Sequence, residues 1–126
     1  MSIAENIAAV RSRIAAAAES AGRRPEDILL VGASKMNDAA ACREAIAGGL
    51  TALGENRVQE LLEKDAQGAY AGAALHFIGR LQRNKVKYLV GRVDLIESID
   101  SLPLLQEVQR LAEKRGVTQD ILLEVS

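Results

Sequence analysis

A chain of 126 residues with a net charge of −1 and 48% hydrophobic residues is long enough to bury the core of one domain. It is too nearly neutral for bulk attraction to nucleic acid or to an anionic membrane. Aromatic residues make up only 2%, so Ala, Leu, Ile and Val must build the core, and the single cysteine, Cys42, excludes an internal disulfide framework and fits a reducing compartment such as the cytoplasm.

The first element is an amphipathic helix. Ile3, Ile7, Val10, Ile14 and Ala18 recur at helical spacing, Ser2 and Glu5 have the form of a capping box, and Gly22 stands where a helix-ending glycine belongs. Charges at Glu5, Arg11, Arg13 and Glu19 interrupt the segment, which excludes a secretory leader, and nowhere does the chain hold the ~20 apolar residues of a membrane span. The apolar run 28–34 then reads as a buried strand that delivers Lys35 to its C-terminal end. A helix of about ten residues from Asp38 follows, with Cys42 as a packed thiol, and Gly48-Gly49 ends it. Next come a short strand, 51–54, and a helix around 57–66 with Val58, Leu61 and Leu62 on one face. Gly68 to Gly72 reads as a loop, 75–78 as a strand, 83–90 as a basic helix in which Tyr88 packs, and 93–97 as a strand. Asp100 or Ser101 caps a helix whose Leu104, Leu105, Val108, Leu111 and Ala112 make an apolar stripe ending at Lys114-Arg115-Gly116. Residues 121–125 are a fifth strand.

Repeated β-α units with short loops predict a parallel sheet covered by helices, in one domain spanning 1–126. No glycine-rich phosphate turn follows the first strand, which disfavours a doubly wound nucleotide fold. A closed (β/α)8 barrel needs eight strands and about 250 residues, so five strands make a partial barrel. In parallel folds the C-terminal strand ends carry ligand chemistry, and there the sequence collects Lys35, Glu55, Asn56, Gly79, Ser98, Asp100 and Ser126, with His76 inside the third strand. A lysine amine at that rim can form a Schiff base with an aldehyde. Asn56, Ser98 and Asp100 also suit helix capping, and His76 suits a satisfied core histidine. Arg80, Arg83, Lys85, Lys87 and Arg92 read as a solvated basic face, and no residue pattern suggests a metal site.

Ser34-Lys35, Gly54-Glu55-Asn56-Arg57-Val58-Gln59-Glu60 and His76-Phe77-Ile78-Gly79-Arg80-Leu81-Gln82-Arg83-Asn84-Lys85, in this order and spacing, closely resemble the pyridoxal phosphate homeostasis proteins, the YggS or proline synthase co-transcribed family. The resemblance runs from the first helix to Ser126. It implies a TIM-type barrel like the N-terminal domain of alanine racemase, with pyridoxal 5'-phosphate held as a Schiff base on Lys35 and Asn56, His76 and Gly79 near the ring. It implies a carrier or regulator of the cofactor without catalytic activity, whose partners are recipient apoenzymes.

Two departures stand out. The family's Thr-x-Pro after the lysine is replaced by Met36-Asn37-Asp38, where Asp38 can cap the next helix. The family's phosphate-holding residues lie in later strands that this sequence does not contain, which predicts weak, poorly oriented cofactor binding. Five barrel strands also leave two open edges, and self-association through them is expected. The alternatives are a fold-type III pyridoxal enzyme such as an amino-acid racemase, or a fragment without cofactor function. A racemase needs a second acid/base, and the only tyrosines are Tyr70 and Tyr88.

Overall fold

A computed structural model describes residues 2–126. Helix α1 (Ile3–Ser20) begins as its sequence predicts: the Ser2 hydroxyl accepts from the Glu5 backbone N–H and donates to the Glu5 carboxylate. It ends in a Schellman motif, in which Arg23 N–H donates to Ala18 O and Gly22 N–H to Glu19 O, with Gly22 at φ 71°. Three β-α units follow: β1 (Gly32–Ala33) and α2 (Ala39–Ala47), β2 (Ala52–Glu55) and α3 (Val58–Ala66), and β3 (Ala74–Phe77) with a 3₁₀ segment (Arg83–Tyr88). β4 (Leu95–Ile99), α4 (Leu102–Arg115) and β5 (Ile121–Leu123) complete the chain. Asp38 and Ser101 cap α2 and α4 through their side chains, as the sequence suggests.

The five strands are all parallel and lie side by side in chain order, β1-β2-β3-β4-β5. Sequential order is the order of a (β/α)8 wall, whereas a doubly wound sheet reverses direction part-way. The fold is therefore α/β, five strands of a TIM-type barrel. Ala33, Gly54, His76 and Leu95 stand level across β1 to β4, and side chains alternate between faces along each strand. On one face, Val31 and Ile78 fill the space over Gly54, whose absent Cβ leaves room for them: a Cβ there would lie 2.9 Å from Ile78 Cδ1. The core holds Leu53, Leu61, Phe77, Val86, Leu89, Ile96 and Ile99, each at most 1% exposed.

Three expectations are corrected. The strand predicted over 28–34 pairs with its neighbour only at Gly32 and Ala33, because β1 has β2 alone beside it and Ile28 N–H is spent on the Pro25 carbonyl. It is not a buried strand, since Leu29 is 58% exposed. The helix predicted over 83–90 is 3₁₀ over Arg83–Tyr88, a winding that brings Val86 and Leu89, three apart, onto the same buried side. Tyr88 is not packed inside. It lies half out, 39% exposed, with the Lys85 and Lys87 ammonium groups 5.8 and 5.3 Å from its ring. No helix among the described residues is long and apolar enough to cross a membrane.

Candidate functional site

Lys35 lies two residues past the β1 ladder, inside a tight turn. Asn37 N–H donates to Ser34 O at 3.1 Å, which makes Lys35 and Met36 the two inner residues. Met36 has φ 64° and is the one non-glycine residue with positive φ among the described residues. The left-handed conformation costs a residue of this type about 1–2 kcal/mol. The Met36 side chain is 93% exposed, so side-chain packing does not hold it there. Lys35 is also exposed, and among the described residues its ammonium has no hydrogen-bond or ion-pair partner.

The backbone around Lys35, by contrast, is held at several points. Ser34 N–H donates to Gly54 O at 2.9 Å, Ser34 O accepts from Lys64 Nζ at 2.6 Å, and Lys35 O accepts from Asn37 Nδ2 at 3.2 Å. Met36 N–H donates to Glu60 Oε1 at 2.7 Å. Behind these bonds lies a buried polar network. Glu55 Oε2 accepts from Ser34 Oγ and Lys64 Nζ, each at 2.8 Å, and from Tyr70 Oη at 2.5 Å, while Lys64 Nζ also meets Glu60 Oε1 at 2.8 Å. Glu55 is fully buried and Lys64 nearly so. Burial opposes the Lys64 charge, but hydrogen bonds to Glu55 and Glu60 outweigh it and raise its pKa above the ordinary 10.5. The bond from Lys64 holds Glu60 below the ordinary 4.5. Burial, then Glu55, push the Tyr70 phenol far up, so it keeps its proton.

These shifts give the network a signed pH dependence. Glu60, lowered on folding, contributes stability above about pH 4.5 that is lost as pH falls through its lower folded value. Lys64, raised on folding, contributes below about pH 10.5 and loses that contribution as pH rises through its higher folded value. Thermal melts across the acid range are expected to show a shallower decline in Glu60→Gln than in the wild type. An identical acid limb in the two proteins would contradict the assignment.

The other residues expected at the site distribute unevenly. Asn56 follows β2 directly and Gly79 follows β3, and their backbones touch: a Cβ on Gly79 would lie 2.2 Å from Asn56 O, so only glycine fits. Asn56 Oδ1 is buried with no partner. Lys35, Asn56 and Gly79 thus share the C-terminal rim of three adjacent strands. His76 stands apart. It is level with Ala33 but two strands away, about 10 Å across the sheet at ordinary strand spacing. Its Nδ1 lies 2.8 Å from Glu97 Oε2.

Glu55 is not a rim residue but the buried acceptor of the network, and Ser98 lies inside β4, buried, instead of following it. Asp100 and Ser126 are exposed. The sequence alone assigns no part in such a network to Glu60, Lys64 or Tyr70. One legible signal was available: Lys64 continues the apolar stripe Val58, Leu61 of α3, where an unpaired charge could not stay.

No family model matches the sequence. Individual relatives do. The pyridoxal phosphate homeostasis protein of Aquifex aeolicus is 45% identical over all of this chain and 55% of its own length. That of Pseudomonas aeruginosa is 45% identical over 90% of this chain and 48% of its own. Over its whole length the chain belongs to the pyridoxal phosphate homeostasis family. It spans about half the length of the curated relatives it matches. Among solved structures, PipY of Synechococcus elongatus with PLP bound gives a TM-score of 0.84 at 36% identity, covering 98% of this chain and 54% of that one. A crystal structure of an unknown protein from Bifidobacterium adolescentis gives 0.89 at 37%, with the same coverage. Each of these two solved chains therefore contains this arrangement of strands and helices and nearly as much chain again.

Proposed function

We propose that the chain binds pyridoxal 5'-phosphate through Lys35 and serves intracellular homeostasis of that cofactor as a carrier or regulator, with no catalytic activity of its own. The observation that carries the reading is Lys35 itself: an unpaired amine on a pinned turn at the sheet's C-terminal rim, in a chain whose structural neighbour was solved with PLP bound. Bound there, the group supplies an aldehyde, which the Lys35 amine takes up as a Schiff base with loss of water. The residues present fit that end of the molecule. Lys35 is the unpaired amino group, Asn56 offers a buried acceptor without a partner, and Gly79, lacking a Cβ, leaves room for the Asn56 backbone beside it. His76, already paired with Glu97 and two strands from Lys35, is left without a direct part in this reading.

A phosphate calls for convergent N–H groups or cations. Capture is expected to be selective for Lys35, the unpaired amino group on the pinned turn. The test is borohydride trapping with pyridoxal 5'-phosphate followed by peptide mapping. Label on Lys35 at cofactor concentrations well above that of the protein supports the reading, and label spread over Lys85, Lys87 and Lys114 overturns it.

Racemase chemistry is disfavoured because Tyr70 keeps its proton and spends it on Glu55, and Tyr88 sits among lysines on the outer 3₁₀ segment. A single cysteine, buried at Cys42, suits a reducing cytoplasm. Recipient apoenzymes are the partners such a carrier implies.

The two edge strands favour self-association. Leu29 beside β1, and Leu122, Leu123 and Val125 in and beyond β5, are 49–91% exposed, alongside unpaired strand edges. Sedimentation at rising concentration is expected to show a second copy joining the first. A compact monomer throughout would refute it.

A further inference from the structure

The turn that carries Lys35 is held in a conformation its own sequence disfavours. Met36 lacks the freedom of glycine and the local hydrogen bonding of asparagine, the residues that ordinarily occupy the left-handed position of such a turn. Its side chain projects into solvent. The conformation persists because the surrounding structure over-determines it. Asn37 closes the turn, and Lys64 fixes its first carbonyl. The Met36 N–H is fixed by Glu60, a residue of α3 that is itself held by Lys64.

We infer that Glu60 is a positioning residue for Lys35: its carboxylate clamps the Met36 N–H, locks the left-handed turn, and so aims the neighbouring amine at the rim. The inference rests on the reading of Lys35 as the cofactor-capturing residue and adds the part that orients it. Glu60 need not touch the cofactor. Lys64 is the anchor of the clamp, and Glu55 with Tyr70 is the buried wall to which the anchor is fixed. Rigid support of this kind matters because a small misplacement of a reacting group costs rate out of proportion to its size.

Two substitutions separate the clamp from the charge. Glu60→Gln keeps an oxygen that can accept from Met36 N–H and removes the charge. Glu60→Leu removes both, while leaving Lys64 its bonds to Glu55 and Ser34 O. Two readouts are needed.

The first is hydrogen exchange at the Met36 amide in the cofactor-free chain. It is expected to accelerate about tenfold or more in Glu60→Leu and to stay near wild type in Glu60→Gln. The second is the rate of borohydride-trapped capture of pyridoxal 5'-phosphate at Lys35, expected to fall about tenfold in Glu60→Leu and to remain within about twofold in Glu60→Gln. Thermal midpoints of both variants are compared with the wild type. Should Glu60→Leu fail to fold, Met36→Val takes its place, since a β-branched residue resists positive φ while Glu60 stays intact.

An unprotected Met36 amide in the wild type, or unchanged exchange in Glu60→Leu, overturns the clamp. Loss of protection with undiminished capture at Lys35 overturns its positioning role. If the wild type shows the expected protection but captures no cofactor at Lys35, the cofactor reading falls and the clamp is judged by exchange alone.

Discussion

Lys35→Ala is expected to abolish covalent capture of pyridoxal 5'-phosphate and to leave the fold intact. The chain's lysines are Lys35, Lys64, Lys85, Lys87 and Lys114, and the structure ranks them. Lys64 is buried, makes three polar contacts and holds its proton more tightly than an ordinary lysine, so it is the poorest nucleophile despite being a neighbour in space. Lys85 and Lys87 lie against Tyr88, and Lys114 is on the exposed end of α4. Lys35 alone sits at the sheet's C-terminal rim on a fixed turn. Since its side chain is exposed and unpaired, its removal is expected to change stability by no more than about 0.5 kcal/mol. Absorbance of the adduct, mapped after borohydride reduction, reads the first effect, and urea unfolding reads the second. Capture that persists in Lys35→Ala at the wild-type level would sink the assignment.

Lys64→Met is expected to be the most damaging single change in the chain. It leaves Glu55, at 0% exposure, with its charge buried and its cationic partner gone, and breaking a buried pair from one side costs about 3–5 kcal/mol. For a domain of this size that is a large part of a total stability of about 5–15 kcal/mol. Methionine fills much the same volume as lysine, so the loss reports the charge and not a cavity. Urea unfolding at neutral pH measures it. Adding Glu55→Gln to the same protein removes the stranded charge and is expected to recover part of the loss. A penalty below about 1 kcal/mol would mean that water reaches Glu55.

Much of this was legible because the signals were local. Ser2, Asp38 and Ser101 announce their helices through side-chain oxygens that need only the next turn of chain, and the alternation of apolar runs with amphipathic segments gives the parallel sheet. The three motifs were enough to point to the family. Where the reading failed, the deciding partner was distant in sequence. Nothing near residues 28–34 shows that the strand lies at an edge, since that depends on what pairs with it. The position of Glu55 at a C-terminal strand end points to the ligand rim, but its surroundings come from Ser34, Lys64 and Tyr70, brought in from three other segments. Tyr70 lay in a stretch that glycines at 68 and 72 marked as loop, and the loop folds inward to bury it. Met36 offered a hint in retrospect: a residue with no turn chemistry of its own, at the position after the lysine, requires help from elsewhere.

The order of the strands also carries a consequence in time. Because β1 to β5 pair strictly in the order of the chain, each strand after β1 meets a partner that a ribosome has already made. No strand waits for a later one to be threaded between its neighbours, and each new β-α unit is laid against a finished edge. Assembly can then keep pace with synthesis, and the sheet grows at one side only, like a wall built course by course.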